Sequence, residues 1–225
     1  MAERKTLFIT GASSGIGEAT ARAAVAAGWN VGLMARSADK LDQLVQELGS
    51  ASLAVAGDAT DLVAQEDAIA RVAAHYGGLD AAFANAGMGV ETPGTEAGDP
   101  EEWRRMIDLN IMALLYTTRA ALPELRKTKG QLVLTGSVAG KVHIAGSIYG
   151  ATKWFVHGYA GNMAQEMREW GGRCTLIAPG MVDTPFFSEP KPEKLQAEDI
   201  ANAVVFALSQ PPRAAIPEIV VMPMG

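Results

Sequence analysis

Tyr149 and Lys153, four residues apart in the segment YGATK, form the most reactive pattern in the sequence. On a helix this spacing places both side chains on one face. A phenol with a pKa near about 10 is a poor acid–base group at neutral pH. An ammonium beside it would favour the phenolate and bring proton transfer into range. Ser137, in TGSVAG, ends an apolar run, and its hydroxyl could hold a substrate oxygen. Asn110, in DLNIMALLY, stands within a helical pattern, where a weak helix former has no capping role. Tyr-x-x-x-Lys recurs in helices by chance, and alone it reads as a surface pair.

The segment TGASSGIG (10–17) gives the pair its context. Gly11 permits a tight turn, Gly15 lets backbone approach a pyrophosphate, and Gly17 allows close helix–strand packing, with Ser13, Ser14 and Ile16 between them. The free N–H groups of the following helix then face the anion. The spacing is G-x3-G-x-G, not the commoner G-x-G-x-x-G, but its place after the first strand favours a cradle over an ordinary turn. Roughly 20 residues on, at the end of the second strand, an Asp or Glu would hold a ribose 2′-hydroxyl. Ala35 and Arg36 stand there instead. A guanidinium hydrogen bond to a 2′-phosphate contributes roughly 1.5–3 kcal/mol, about ten- to a hundredfold in preference. The expected cofactor is therefore NADP(H) over NAD(H), against the alternative that Arg36 is a solvated surface charge.

Those residues need a scaffold, and strand-like and helix-like patterns alternate along the whole chain. Apolar runs at 6–10, 30–35, 52–57, 79–84, 131–136, 173–178 and 218–222 read as seven strands. Helical patterns lie between them: from the glycine turn to 27, from Ser37 as N-cap to a stop at Gly49, and over 61–76, 100–126, 147–170 and 198–209. Strands that are apolar throughout belong in a sheet covered on both faces, and the alternation makes them parallel with right-handed crossovers. The expectation is an α/β fold: a Rossmann-type, doubly wound, seven-stranded parallel sheet, ordered 3-2-1-4-5-6-7, with helices on both faces. No linker-like shift divides residues 1–225, so one NAD(P)-binding domain is expected, with a short lid at about 185–196.

Composition narrows the class. The 225 residues are 48% hydrophobic and 20% charged, which excludes a disordered chain. Nineteen basic against 25 acidic residues give a net charge of −6 without a Lys/Arg cluster, so neither nucleic acid nor membrane is an expected partner. Cys174, the only cysteine, cannot form an internal disulfide or a Cys-based zinc site. His75 and His157 have no metal-ligand partners at useful spacing and read as structural. No leader-like segment precedes the first strand and no run approaches a membrane span, which predicts a soluble protein of a reducing cytoplasm.

Taken together, these motifs resemble the short-chain dehydrogenase/reductase family, in its compact single-domain branch, over essentially the full chain. The resemblance implies an oxidoreductase that interconverts a small or medium carbonyl compound and its alcohol. Asn110, Ser137, Tyr149 and Lys153 match the family's catalytic tetrad in order and spacing. Tyr149 would exchange the proton, and Lys153 would lower its pKa and bind the nicotinamide ribose. Ser137 would polarise the carbonyl, and Asn110 would hold a water joining Lys153 to solvent. GDATD places Asp58 where the family holds the adenine amino group. ANAG places Asn85, Ala86 and Gly87 where it stabilises the central sheet and lines the cofactor channel. APGMVDTP matches the segment that contacts the nicotinamide amide, here Pro179, Gly180, Val182 and Thr184. A homodimer or homotetramer through the helices at 100–126 and 147–170 is also implied.

The lid is shorter than in many relatives, which argues against a bulky, tightly enclosed substrate. Phe186 and Phe187 would close over the substrate or pack against the sixth strand, and His143 would line its mouth or face solvent. Two other functions compete: a redox-inactive cofactor-binding regulator, and a 3-oxoacyl-thioester reductase. The first typically loses Tyr, Lys or a cradle glycine, all present here. The second would want a basic patch, for which only Lys141, Lys191 and Lys194 offer themselves. An epimerase or dehydratase would need a larger C-terminal domain.

Overall fold

The computed structural model describes residues 4–224. Among the described residues nine strands occur in chain order: β1 (Thr6–Thr10), β2 (Asn30–Ala35), β3 (Ser52–Ala56), β4 (Ala81–Ala84), β5 (Gln131–Thr135), β6 (Arg173–Pro179), β7 (Val182–Asp183), β8 (Leu195–Gln196) and β9 (Glu218–Val221). Seven of them form one sheet, ordered β3-β2-β1-β4-β5-β6-β9, with every pairing parallel. This is the expected arrangement. The last strand is ninth in the chain because β7 and β8 precede it and pair only with each other. That small pairing cinches the two ends of the segment expected as a lid.

The helices are α1 (Gly15–Ala26), α2 (Ala38–Leu48), α3 (Leu62–Tyr76), α4 (Pro100–Ile107), α5 (Ala113–Thr128), α6 (Ile148–Arg168) and α7 (Ala197–Leu208). Side chains along a strand alternate between faces, and those of β1 divide between two cores. Leu7 and Ile9 share one core with Ala21 of α1, Leu41 of α2 and Val204 of α7. Phe8 shares the opposite core with Ile69 of α3, Leu125 of α5 and Val156 of α6. All three β1 side chains are fully buried. Each contributes about 1.5–3 kcal/mol by leaving water, so strands apolar on both faces require a helical layer on each.

One local expectation is corrected. The helix expected over 100–126 is interrupted by a π-helical turn, Asp108–Met112, between α4 and α5. Asn110 lies in that turn, where the wider winding lets its side chain leave the helix toward another loop. Ser37 does occupy the position before α2, but its side chain caps none of the helix N–H groups. Among the described residues no helix is long and apolar enough to cross a membrane.

From β1 the chain winds outward through β2 and β3, then returns to the other side as β4. Connections that diverge from adjacent strands open a crevice at the strands' C-terminal ends. Thr10, Ala84 and Thr135 end the three central strands at this crevice.

Candidate active site

The crevice is held open by a polar staple. The Thr10 hydroxyl oxygen accepts from the Asn85 N–H at 3.1 Å and the Ala86 N–H at 3.2 Å. Asn85 Nδ2 donates back to the Thr10 carbonyl at 3.1 Å, while its Oδ1 accepts from the Thr135 hydroxyl at 3.2 Å. One asparagine therefore ties β1, β4 and β5 together at their C-terminal ends.

The glycine turn rises from that edge. Gly11 has a φ of 67°, and a methyl group on it would stand 3.0 Å from Ala86 Cα. At Gly17 a Cβ would overlap the Gly11 carbonyl oxygen. The Ser14 side chain caps none of the α1 N–H groups. The first turn of the helix therefore has donors left for an anion, in space that side chains would otherwise fill. The turn fits the pyrophosphate of a dinucleotide.

One cleft opens between this turn and α6. From the turn it is lined by Gly11, Ser14, Gly15 and Ile16, and beyond β4 by Asn85, Ala86 and Gly87. Ser137, Tyr149 and Lys153 line it from β5 and α6, and Pro179, Gly180, Val182 and Thr184 from the segment after β6. Ser13, Gly17, Arg36, Asp58 and Asn110 do not line it. Gly17 lies under the turn. Arg36 is exposed past the end of β2, and its charge acts on Asp58. The Thr60 N–H, donating at 2.9 Å, holds the Asp58 carboxyl below its ordinary value, with help from the Thr60 hydroxyl and Arg36 and against the cost of burial.

Ser147 starts α6 by accepting from the Gly150 N–H at 2.9 Å, which places Tyr149 in the first turn and Lys153 one turn later. Burial pushes the Tyr149 phenol up, opposed by its hydrogen bond with Ser137. Lys153 is buried, and that burial pushes its ammonium down to about 8. The ammonium donates to the Thr135 carbonyl at 2.9 Å and lies 5.7 Å from the centre of the Tyr149 ring. Burial, rather than the neighbouring ammonium, thus dominates the phenol, and the group that lowers it is Ser137.

Asn110 is fully engaged one layer behind. Its Oδ1 accepts from the Met88 N–H at 2.8 Å, and its Nδ2 donates to the Met88 carbonyl at 2.9 Å and to the Thr152 hydroxyl at 3.2 Å. The side chain clamps the loop after β4 instead of projecting into the cleft. The same loop is held by buried Glu102, which accepts from the Glu91 N–H at 2.6 Å and the Thr92 N–H at 3.4 Å.

Phe186 and Phe187 both line the cleft. The Phe186 ring lies 5.6 Å from that of Tyr149, and a Cβ on Gly89 would come within 3.0 Å of it. His143 is exposed, its ring 5.4 Å from that of Trp154, and is not among the lining residues. Sequence reasoning overlooked Thr135, Thr152, Met88 and Glu102. Threonine at the end of a central strand was a usable signal for Thr135; the others serve through contacts that no local pattern announces.

A family model described as short chain dehydrogenase matches residues 5–195. A serine 3-dehydrogenase of Agrobacterium fabrum is 35% identical, over 98% of this chain and 94% of that protein. An alcohol dehydrogenase of the archaeon Thermococcus sibiricus, solved with 5-hydroxy-NADP, superposes with a TM-score of 0.90 at 31% identity, covering 99% of this chain and 97% of that one. A 3-ketoacyl-(acyl-carrier-protein) reductase of Brucella melitensis, solved with NADH, gives 0.88 at 26% identity over 97% of each chain. With the sheet order, the glycine turn and the family match in agreement, the chain belongs to the short-chain dehydrogenases and is an oxidoreductase of that family.

Proposed function

We propose that the protein interconverts a small or medium carbonyl compound and its alcohol with NADP(H), using Tyr149 as the acid–base group. The observation that carries this reading is a single cleft in which Ser137, Tyr149 and Lys153 share a wall facing the glycine turn. Bound NADPH supplies the hydride that reduces the carbonyl carbon. The chain's own residues handle the oxygen. Tyr149 gives its phenolic proton to that oxygen as charge develops there, and takes it back in the oxidative direction. The Ser137 hydroxyl, on the same wall of the cleft, holds the same oxygen and works against burial on the phenol.

A phenol holds its proton at neutral pH, and burial only strengthens that hold on Tyr149, as an acid in the reducing direction requires. Lys153, at about 8, exchanges protons readily near neutrality and is suited to resupplying the phenolate. The Asn110 side chain, committed to Met88 and Thr152, holds the loop that borders Lys153 at Gly87. Phe186, over Tyr149 and Gly89, keeps bulk water from the phenol and limits substrate size.

The assignment of NADP(H) rests on Arg36, which is exposed past the end of β2, where the strand ends in Ala35 and Arg36 rather than in an Asp or Glu. A homodimer or homotetramer formed through the helical segments at 100–126 and 147–170 belongs to the same reading. The test is Tyr149→Phe, assayed with NADPH against a panel of aldehydes and ketones. Turnover falls by at least about a hundredfold while NADPH binding is kept. Retention of more than about a tenth of the activity, with cofactor bound, removes Tyr149 from the acid–base role.

A further inference from the structure

The imidazole of His157 is built into the back of the serine turn. It projects from α6 one turn beyond Lys153, and its Nε2 lies 2.9 Å from the backbone carbonyl of Ser137. A carbonyl only accepts, so Nε2 carries the proton and donates it. The ring lies in a slot that two glycines keep open. A Cβ on Gly136 would stand 3.1 Å from His157 Nε2, and one on Gly140 2.6 Å from its Cδ2. The residues just before and three after Ser137 thus lack side chains where the imidazole enters.

Behind the ring stands β9. His157 Nδ1 faces Glu218 Oε1 at 3.7 Å, and this oxygen is buried without a hydrogen-bond partner. The other carboxylate oxygen accepts from Lys141 Nζ at 2.7 Å. Lys141 follows the short helical turn that begins after Ser137. The serine turn is therefore gripped at its carbonyl by His157 and at its far end by Glu218.

We propose that His157 is a positioning residue for Ser137, fixing the turn so that the serine hydroxyl addresses the substrate oxygen, while Glu218 ties down the far end of the same turn through Lys141. The proposal rests on the role assigned above to Ser137. His157 touches neither substrate nor cofactor, and it acts through one backbone carbonyl.

A set of variants and one spectroscopic signal test it. His157→Ala lowers kcat by about tenfold, because a small misalignment of a catalytic group is costly, with NADPH affinity unchanged. His157→Gln, whose amide can donate to the same carbonyl, restores most of the loss. In the Ser137→Ala background, His157→Ala costs nothing further, as required of a residue acting through Ser137. Selective carbon-13 labelling shows the Ser137 carbonyl resonance displaced in the alanine variant and returned in the glutamine variant. Should the alanine variant fail to fold, His157→Asn, whose amide stops short of the carbonyl, is read in the same way.

A folded His157→Ala protein with wild-type kcat, or losses that multiply with those of Ser137→Ala, overturns the positioning role alone. Ser137→Ala and Tyr149→Phe proteins that both keep full turnover overturn the proposed function, and the positioning role with it.

Discussion

The ammonium of Lys153 donates to the backbone carbonyl of Thr135 at 2.9 Å, tying the first turns of α6 to the C-terminal end of β5. Thr135 also donates its hydroxyl to Asn85 Oδ1, so the lysine is fastened to the same staple that organises the central strands. The cationic head therefore sits over the sheet edge beside the glycine turn, with almost no water around it. A charge placed this way carries a cost to folding.

That cost is measurable with Lys153→Met. Burial lowers the ammonium from 10.5 to about 8, which corresponds to about 3 kcal/mol of unfavourable charge burial at neutral pH. Methionine removes that penalty and loses one charge-assisted hydrogen bond, so a net gain of about 1 kcal/mol is expected, while turnover is abolished. The sign is set by linkage. Below pH 8 both folded and unfolded chains carry the charge and the penalty is whole; it fades as pH rises through about 8 toward 10.5. Urea unfolding at pH 7 and pH 10 checks it: the variant's advantage is present at the first and shrinks at the second.

Arg36→Ala separates the two nicotinamide cofactors. Loss of one charge-assisted contact to a 2′-phosphate weakens NADPH binding by about ten- to a hundredfold and leaves NADH binding unchanged. Fluorescence titration of wild type and variant with each cofactor gives the comparison. Equal binding of NADPH by both proteins would make Arg36 a surface charge.

Gly17→Ala probes the cradle. With no room between the new methyl group and the Gly11 carbonyl, turn and helix must separate, at a cost of about 1–3 kcal/mol and the loss of dinucleotide binding. Gly158→Ala is the control: a Cβ on this exposed α6 glycine meets nothing within 4 Å. Relief of helix-interior glycine should raise stability there by about 0.5–1 kcal/mol. Thermal melts of both variants should move in opposite directions.

Cys174 offers a readout of global opening. Its thiol is buried between the sheet and α6, and burial pushes it up to about 12. The thiolate is the nucleophile, so iodoacetamide at pH 7.5 should modify the native protein at least about a hundredfold more slowly than the protein in denaturant. Mass spectrometry of timed aliquots measures both rates, and rapid native labelling would place Cys174 elsewhere.

Much of the architecture was legible before any coordinate. Runs such as TLFIT and QLVLT carry three apolar residues in succession, so both faces of the strand are apolar, and that demands a sheet with helices on both faces. The glycines of TGASSGIG announce a turn by stereochemistry internal to a few residues, and Tyr149 and Lys153 share a helix face by spacing alone. Asn110 was conspicuous as a polar residue within DLNIMALLY, yet nothing local foretold a π-helical turn. The turn accompanies the clamp on Met88, which lies 22 residues away in the chain.

The sequence by itself therefore determined the layered α/β sheet, the glycine cradle and the tyrosine–lysine pair, because each depends on backbone stereochemistry or periodicity within about a turn of helix or a single strand. Tertiary structure alone decided that Lys153 donates to Thr135, that Glu102 holds the loop after β4, that Phe186 covers Tyr149, and that His157 grips Ser137. These are meetings of distant residues, fixed by loop paths and by the space left once the cores are packed. No short window of sequence contains both partners, so only the folded chain could bring them together.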